Sequence, residues 1–515
     1  MVIDRRTFLA SSALWVTHTA RTSARTKALG NATEVPDQEL LQKIANDPLR
    51  PQFHLSPEAG FVGDPCAPRF FKGENHVFFH GSFGGRGWSH ARSADLIHWQ
   101  HMPKALTPTE GSYDSYGTFT GSVLPGGDGA SVIYTGVTKV PREQETIRNE
   151  GLREVQCIAT SIDPDLGTWR KRDKPIIEAP PAKVVGFRDP FSWRDEDTWY
   201  AGIGSGFEHK GGVVLLYRSK DTRNWEYLHP LAEGTWNGQL VSNPVGSGEM
   251  WECPDFFPLG NKHVLIYSTE HHVYWHVGVF DQRELRFHSE RAGLLDHGAY
   301  YAPKSMLDGK NRRILWGWVQ ETRSQNDSKG AGWAGAISLP RVLTVSSSNE
   351  LQMEVPPEFA SQRIQSVTIE SPRSSQQLDT ALSKAPIRNR AGEVICTFKP
   401  DQSRGCGLEF RLRSAGAVPI FSMTNGGANG TSSVSIGDQT LLLSADQEGF
   451  STAHIWIDGS VIETFIDKKQ VITMRSYAGP NQLDDIDVVW SGPADAMKSL
   501  TISSIKRISN DRLTT

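Results

Sequence analysis

The chain of 515 residues has little cysteine, little charge imbalance and no long apolar run. Each scarcity excludes a class. The five cysteines (Cys66, Cys157, Cys253, Cys396 and Cys406) are scattered and contain no Cys-x-x-Cys pair. They form neither a disulfide framework nor a zinc pattern. Lys plus Arg is 54 and Asp plus Glu is 58, a net charge of −4, so there is no basic footprint for nucleic acid. No stretch of 18 apolar residues exists, which argues against a membrane-spanning helix. Helix-like periodicity is scarce as well. Tryptophan, in contrast, is plentiful: 15 in all, with twelve between Trp88 and Trp333. A hydrophobic share of 38% fits a globular chain, and the length suits one large domain and a smaller one.

The first 30 residues read as a sorting signal rather than as fold. Arg5-Arg6-Thr7-Phe8-Leu9, then a short apolar stretch to Val16, resembles a twin-arginine export signal. Export to the periplasm or the exterior is therefore expected.

Beyond it the chain repeats. Asp64-Pro65 opens an aromatic run, a polar turn and a second apolar run ending near His80. Asp189-Pro190 opens the same layout to Ile203, and Glu252-Cys253-Pro254 opens it again to Ile266. Each reads as a β-hairpin with an acid at the mouth of its first strand. The spacing from Asp64 to Asp189 is 125 residues, about twice the 63 from Asp189 to Glu252. A similar unit should lie between, and Thr120 to Tyr134 supplies it. A fifth unit runs from Tyr301 to Trp318. A second element recurs in phase: Ser93-x-Asp95 leads to Trp99, Ser161-x-Asp163 to Trp169 and Ser219-x-Asp221 to Trp225. Units of about 60 residues with several strands each predict a five-bladed β-propeller over residues 50–345. A β-sandwich with accidental similarity is the alternative.

A propeller gathers corresponding positions around one axis. Asp64, Asp189 and Glu252 should then share a funnel. Like charges crowded into a partly dry pocket cannot all ionise freely, which supplies a protonated acid beside a carboxylate. Glycosidic bond cleavage needs that pair.

These residues resemble glycoside hydrolase family 32, the β-fructosidases (invertases, inulinases, levanases and related fructosyltransferases). The resemblance rests on an ordered set covering nearly everything after residue 50. It runs from Arg50-Pro51-Gln52-Phe53-His54 to Gly63-Asp64-Pro65, then Phe119-Thr120-Gly121-Ser122 and Phe187-Arg188-Asp189-Pro190. Trp251-Glu252-Cys253-Pro254, Trp316-Gly317-Trp318, Leu339-Pro340-Arg341 and Asp458 to Phe465 complete it. It implies that Asp64 is the nucleophile, Glu252 the general acid/base and Asp189 the transition-state stabiliser. It also implies substrate contacts from Gly63, His80, Trp88, Phe119, Ser122, Arg188, Cys253 and Trp318, and chemistry without a metal or cofactor. Retention is the expected outcome, which calls for carboxyl groups about 5–5.5 Å apart. Cys253 either tunes its neighbour Glu252 or is a small buried thiol.

The opening motif departs from the family's usual Trp-Met-Asn-Asp-Pro-Asn-Gly. Gly63, Cys66 and Ala67 remove both Asn side chains and the Gly. Gly63-Asp64-Pro65-Cys66-Ala67 resembles some fungal fructosyltransferases of the family. His80 stands where Gln is common, and Phe119-Thr120 where Trp-Ser is.

Trp99, Trp169 and Trp225 are expected to pack blades, whereas Trp88, Trp316 and Trp318 sit nearer the funnel. His54 and His90 lack metal-ligand spacing and read as structural. From Ser346 a polar stretch to about 376 reads as a linker, followed by short alternating strands of a C-terminal β-sandwich over 377–515. The expectation is thus an all-β chain, a five-bladed β-propeller followed by a C-terminal β-sandwich. Its substrate would be sucrose or a fructan, with no nucleic acid and no membrane span. A fructosyltransferase, a non-catalytic sugar-binding propeller and a five-bladed glycosidase acting on arabinan or xylan are the alternatives.

Overall fold

The computed structural model describes residues 37–509, apart from the short segments 83–85, 127–129, 147, 149–150, 182–183, 386, 401–405, 414–418, 427–431 and 479–483. The expected export signal lies outside the described residues.

Twenty strands make five blades of four antiparallel strands each, one per expected unit, and a short extra strand joins each of the sheets of blades I and V. Blade I comprises Gly60–Phe71, Glu74–Gly81, Trp88–Ser93 and Gln100–Leu106. Blade II comprises Gly117–Leu124, Ser131–Lys139, Leu152–Ser161 and Trp169–Lys171. Blade III runs from Val184 to Glu233, blade IV from Glu252 to Asp296 and blade V from Tyr300 to Glu354. The innermost strands touch in the cyclic order I, II, III, IV, V and back to I. That closed ring is a five-bladed propeller. Trp333–Ala334 closes it by pairing in parallel with Gly60 and Phe61.

Burial follows from radial position. The innermost strand of blade I carries nine consecutive buried residues, because neighbouring blades cover both its faces. The outermost strand Arg286–Asp296 has one covered face and is largely exposed along its length. The Ser-x-Asp turn is built the same way in three blades. Asp95 accepts the N–H groups of Ile97 and His98, and Asp221 those of Arg223 and Asn224. Asp163 accepts those of Asp165 and Gly167. Each turn holds one residue in the left-handed region: Leu96, Thr222 and Leu166. The Trp that follows packs between blades. Trp99 meets Trp316 of blade V and Trp169 meets Phe78 of blade I, both edge-on.

The expected linker of 346–376 is corrected. Leu351–Glu354 is the outermost strand of blade V, with Leu351 and Met353 buried in strict alternation. Arg363–Glu370 already belongs to the second domain, as the edge strand beside Met497–Ile505. Four alternating residues in a Ser/Gln-rich context are too few to read as a strand. The second domain stacks a six-stranded sheet on a five-stranded one. Their inner faces supply one core, including Val394, Leu408, Phe410, Ile455 and Leu500.

Candidate active site

Every innermost strand is interrupted at the same place. In blade I, Val62 pairs with Gly81 and Pro65 with Phe79, leaving Gly63-Asp64 opposite His80 alone. The same two-against-one bulge holds Phe119-Thr120 in blade II, Asp189-Pro190 in III, Cys253-Pro254 in IV and Ala302-Pro303 in V. A bulge bends a strand and re-aims its side chains. Five of them on one ring turn five short segments towards the axis.

The bulges are stitched together. Asp189, Cys253 and Ala302 are first in their bulges and have positive φ (61°, 49° and 51°), a conformation that costs energy unless neighbours hold it. The preceding blade captures each N–H. Asp189 donates to Thr135 Oγ1 at 2.9 Å, Cys253 to Asp189 Oδ2 at 3.0 Å and Ala302 to Ser268 Oγ at 3.1 Å.

This geometry corrects one detail of the repeat. The three acids do not occupy one repeat position. Glu252 stands just before its bulge, Asp189 is first within its own and Asp64 second. They converge because each position aims its side chain differently. All three are at most 2% exposed. Thr120 Oγ1 donates to Asp64 Oδ2 at 2.8 Å. Cys253 Sγ lies 3.2 Å from Asp189 Oδ2 and 3.9 Å from Asp64 Oδ2, so the thiol sits between two acids. Tyr301 donates its hydroxyl to Glu252 Oε2 at 2.9 Å, and Arg188 Nε faces Glu252 Oε1 at 3.4 Å.

Arg188 is shared. Its Nη1 also pairs with Glu154 Oε1 at 3.2 Å, and its Nη2 meets the Met250 sulfur at 3.3 Å. Glu154 is fully buried and accepts the Phe187 N–H at 2.7 Å, fixing the strand that carries Arg188. Lys304, 1% exposed, donates to the carbonyls of Pro254 and Asp189 at 2.7 and 3.4 Å. One guanidinium thus serves two carboxylates, while a buried ammonium caps the bulge backbone. Asp255, beyond the bulge, is pushed above the usual carboxylate range by burial, against the Lys304 charge and two bonds from Ser305.

A cleft opens on the blade I and II side, lined by Phe61, His80, Arg86, Tyr116, Thr118 and Phe119. Gly63 lies against two of its lining residues. A Cβ there would meet the Phe61 ring at 3.0 Å and His80 Cβ at 3.3 Å, so Gly63, Phe61 and His80 form one packed set. Two of the residues expected to contact sugar are packed in the interior. Trp88 is fully buried in the core between blades I and II, and its indole N–H points to the Phe119 carbonyl at 3.3 Å. Trp318 is 1% exposed and meets Phe61 edge-on. Both support the aromatic wall from behind. Ser122 lies past its bulge, with its hydroxyl on the Val123 carbonyl. His90 is buried against His76 at 2.9 Å, and burial holds it down at about 3. His54 is bound between Asp458 and Glu463 of the second domain. Among the described residues no cluster of His, Cys, Asp and Glu is arranged to hold a metal ion.

Sequence reasoning missed Thr120, Thr135, Glu154 and Tyr301. Thr120 and Tyr301 sat in the recognised repeat units, and aligning bulge with bulge would have marked them. Glu154, on a third strand, carried no signal.

Three buried acids at the bulges of a five-bladed ring fit a glycoside hydrolase. The description "Glycosyl hydrolases family 32 N-terminal domain" matches residues 54–355, and the chain belongs to that family. It is 31% identical to raffinose invertase of Escherichia coli over 473 residues, 85% of this chain and 92% of that protein. It is 35% identical to sucrose-6-phosphate hydrolase of Escherichia coli over 323 residues, 59% of this chain and 64% of that protein. The fold matches fructan 1-exohydrolase IIa from Cichorium intybus with a TM-score of 0.72 at 23% identity, covering 89% of this chain and 98% of that one. Among the described residues no helix is long and apolar enough to cross a membrane.

Proposed function

We propose that the protein is a retaining β-fructofuranosidase that hydrolyses terminal fructosyl linkages of sucrose or fructans. The convergence of Asp64, Asp189 and Glu252 in one buried funnel carries this reading. Asp64 attacks the anomeric carbon while Glu252 protonates the departing oxygen, so the glycosidic bond breaks as a carboxylate ester forms. Glu252, now a carboxylate, takes a proton from water, whose oxygen displaces Asp64. Two inversions give retention. The Tyr301 and Arg188 contacts orient Glu252, and Thr120 orients Asp64. Asp189 binds fructosyl hydroxyls, with a gain that grows towards the oxocarbenium-like transition state. Gly63, His80, Phe119, Arg188 and Cys253 shape the fructosyl pocket around this set. The curated relatives are named as hydrolases of sucrose-type substrates, which supports the substrate class.

The second reading is a fructosyltransferase, favoured by the Gly63-Asp64-Pro65-Cys66-Ala67 opening. Product profiles on sucrose, inulin and levan decide between them. Free fructose at every sucrose concentration means hydrolysis; accumulating oligofructosides at high sucrose mean transfer. No turnover of any of the three overturns the substrate class. Arg5-Arg6 and the apolar stretch after it support export through a twin-arginine route. Cell fractionation of an Arg5→Lys, Arg6→Lys double variant tests it; unchanged export excludes that route.

A further inference from the structure

Glu249 stands three residues before the acid/base, in the segment that leads from blade III into blade IV. Its side chain is fully buried, at 0% exposure. Two residues, from loops of blades II and III, converge on it. Arg148, on the loop between the second and third strands of blade II, donates to Oε2 at 2.6 Å. The His209 N–H, on the corresponding loop of blade III, donates to Oε1 at 2.6 Å, and the His209 ring lies 3.4 Å from the same oxygen. Arg148 also reaches the Val241 carbonyl in the same connecting segment and faces Glu208 at 3.6 Å. A buried carboxylate that ties loops of two blades to a connecting segment is costly to desolvate and unusual for such a segment.

The next residues show what the tie controls. Met250 places its sulfur on Arg188 Nη2 at 3.3 Å, and Thr269 Oγ1 holds the Met250 carbonyl at 2.8 Å. Trp251 anchors its N–H on the Ser205 carbonyl and stacks on Tyr267. Glu252 follows at once. A shift of Glu249 therefore moves two things together: the sulfur behind Arg188 and the backbone that aims the acid/base. The blade II loop reaches the other side of Arg188 too, since Thr146 Oγ1 lies 3.4 Å from Glu154 Oε2.

We infer that Glu249, clamped by Arg148, is a positioning residue for Glu252 and Arg188, linking blade II to the proton-transfer step across the funnel. It touches neither substrate nor reacting atoms. This rests on the assignment of Glu252 as acid/base. A misplacement of about an ångström remote from the chemistry can cost up to about 100-fold in rate. The cost should fall on the step that needs the acid.

The test uses the full-length protein with sucrose and with p-nitrophenyl β-fructofuranoside, whose leaving group departs without protonation. Wild type must first turn over both, and Glu252→Gln must lose far more on sucrose than on the aryl fructoside. Failure there removes the acid/base assignment and not the tie. Given that pattern, Glu249→Gln should lower kcat on sucrose at least about tenfold with KM changed less than about threefold, and should lose much less on the aryl substrate. Arg148→Ala should show the same split, and Arg148→Lys should recover part of it. Equal losses on both substrates, or a loss confined to thermal stability, would overturn the inference. If Glu249→Gln does not fold, the Arg148 pair decides alone, because Arg148 is 21% exposed.

Discussion

Two clusters of three buried carboxylates lie in this molecule, and they are built to opposite rules. The funnel holds Asp64, Asp189 and Glu252. The contact between the two domains holds Asp296, Asp458 and Glu463. In the second cluster every carboxylate oxygen has a donor. Asp458 accepts the N–H groups of Gln52, Phe53 and His54 and the His54 ring at 2.8 Å. Glu463 accepts His54 Nε2 at 2.9 Å, the Leu339 N–H at 2.8 Å and Arg341 at 2.6 Å. Asp296 accepts Arg341, Gly298 and both polar groups of Thr473. Two cations, His54 and Arg341, stand among three anions.

The consequences are visible in protonation. Burial alone would lower His54, but bonds and charge from Asp458 and Glu463 push it up to about 9. Burial alone would raise Glu463, but Arg341 and His54 hold it down to about 2. His54 and Glu463 therefore both stay charged across the neutral range. The funnel instead gives Glu252 a share of one guanidinium and a tyrosine hydroxyl, and gives Asp64 a threonine hydroxyl and a thiol. A cluster saturated with donors and cations is inert structure. Around the other three acids stand hydroxyls, a thiol and a guanidinium carried by four different blades.

Breaking the funnel should have the largest effect on activity. Asp64→Asn and Glu252→Gln are each expected to cost about 1,000-fold or more in kcat on sucrose, with thermal unfolding unchanged. An Asp64→Asn variant of undiminished activity would sink the mechanism. Breaking the other cluster should do the reverse. Glu463→Ala leaves His54 and Arg341 buried without their shared partner and is expected to cost about 3–5 kcal/mol of stability. Protein that remains folded should keep its kcat, measured below the melting transition.

Protonation sharpens the contrast further. The His54 contribution to stability is fully present below about 6.5 and is lost as pH rises through about 9. The Glu463 contribution is fully present above about 4.5 and is lost as pH falls through about 2. The summed contribution of these two groups should therefore be flat from about 4.5 to 6.5 and fall on the alkaline side, by an amount on the order of 3 kcal/mol. His54→Gln should flatten the alkaline fall in denaturant titrations; an unchanged fall assigns it elsewhere. The smallest effect is expected for Tyr301→Phe. It removes one donor to Glu252, about 1–2 kcal/mol, and should lower kcat roughly tenfold without altering stability.

Much of this was legible in the chain. The Asp-Pro and Glu-Cys-Pro openings and the Ser-x-Asp turns recur at a spacing that only a radial repeat explains, because each turn needs the same capping side chain. Asp64, Asp189 and Glu252 stood out for the same reason. Thr120 and Tyr301 escaped notice because the units were aligned on acid and proline instead of on bulge position. Glu154 and Glu249 were invisible. Each is an acid in an ordinary context, and its partner lies 34 or 101 residues away, at Arg188 or Arg148. Trp88 and Trp318 are buried, and sequence alone could not tell packing from a platform, since an aromatic side chain suits both equally.

By itself, the sequence determined the all-β class, the count of five blades, the second β domain and the three acids. Local turn chemistry and alternating burial are properties of neighbouring residues, so they are written in the chain. Tertiary structure alone decided how those acids converge. Asp64, Asp189 and Glu252 occupy different places around their bulges, and only ring closure turns three unequal positions towards one axis. It also decided which donors and cations surround each buried carboxylate. An acid's neighbours in space, not in sequence, supply the donors and cations that set its charge.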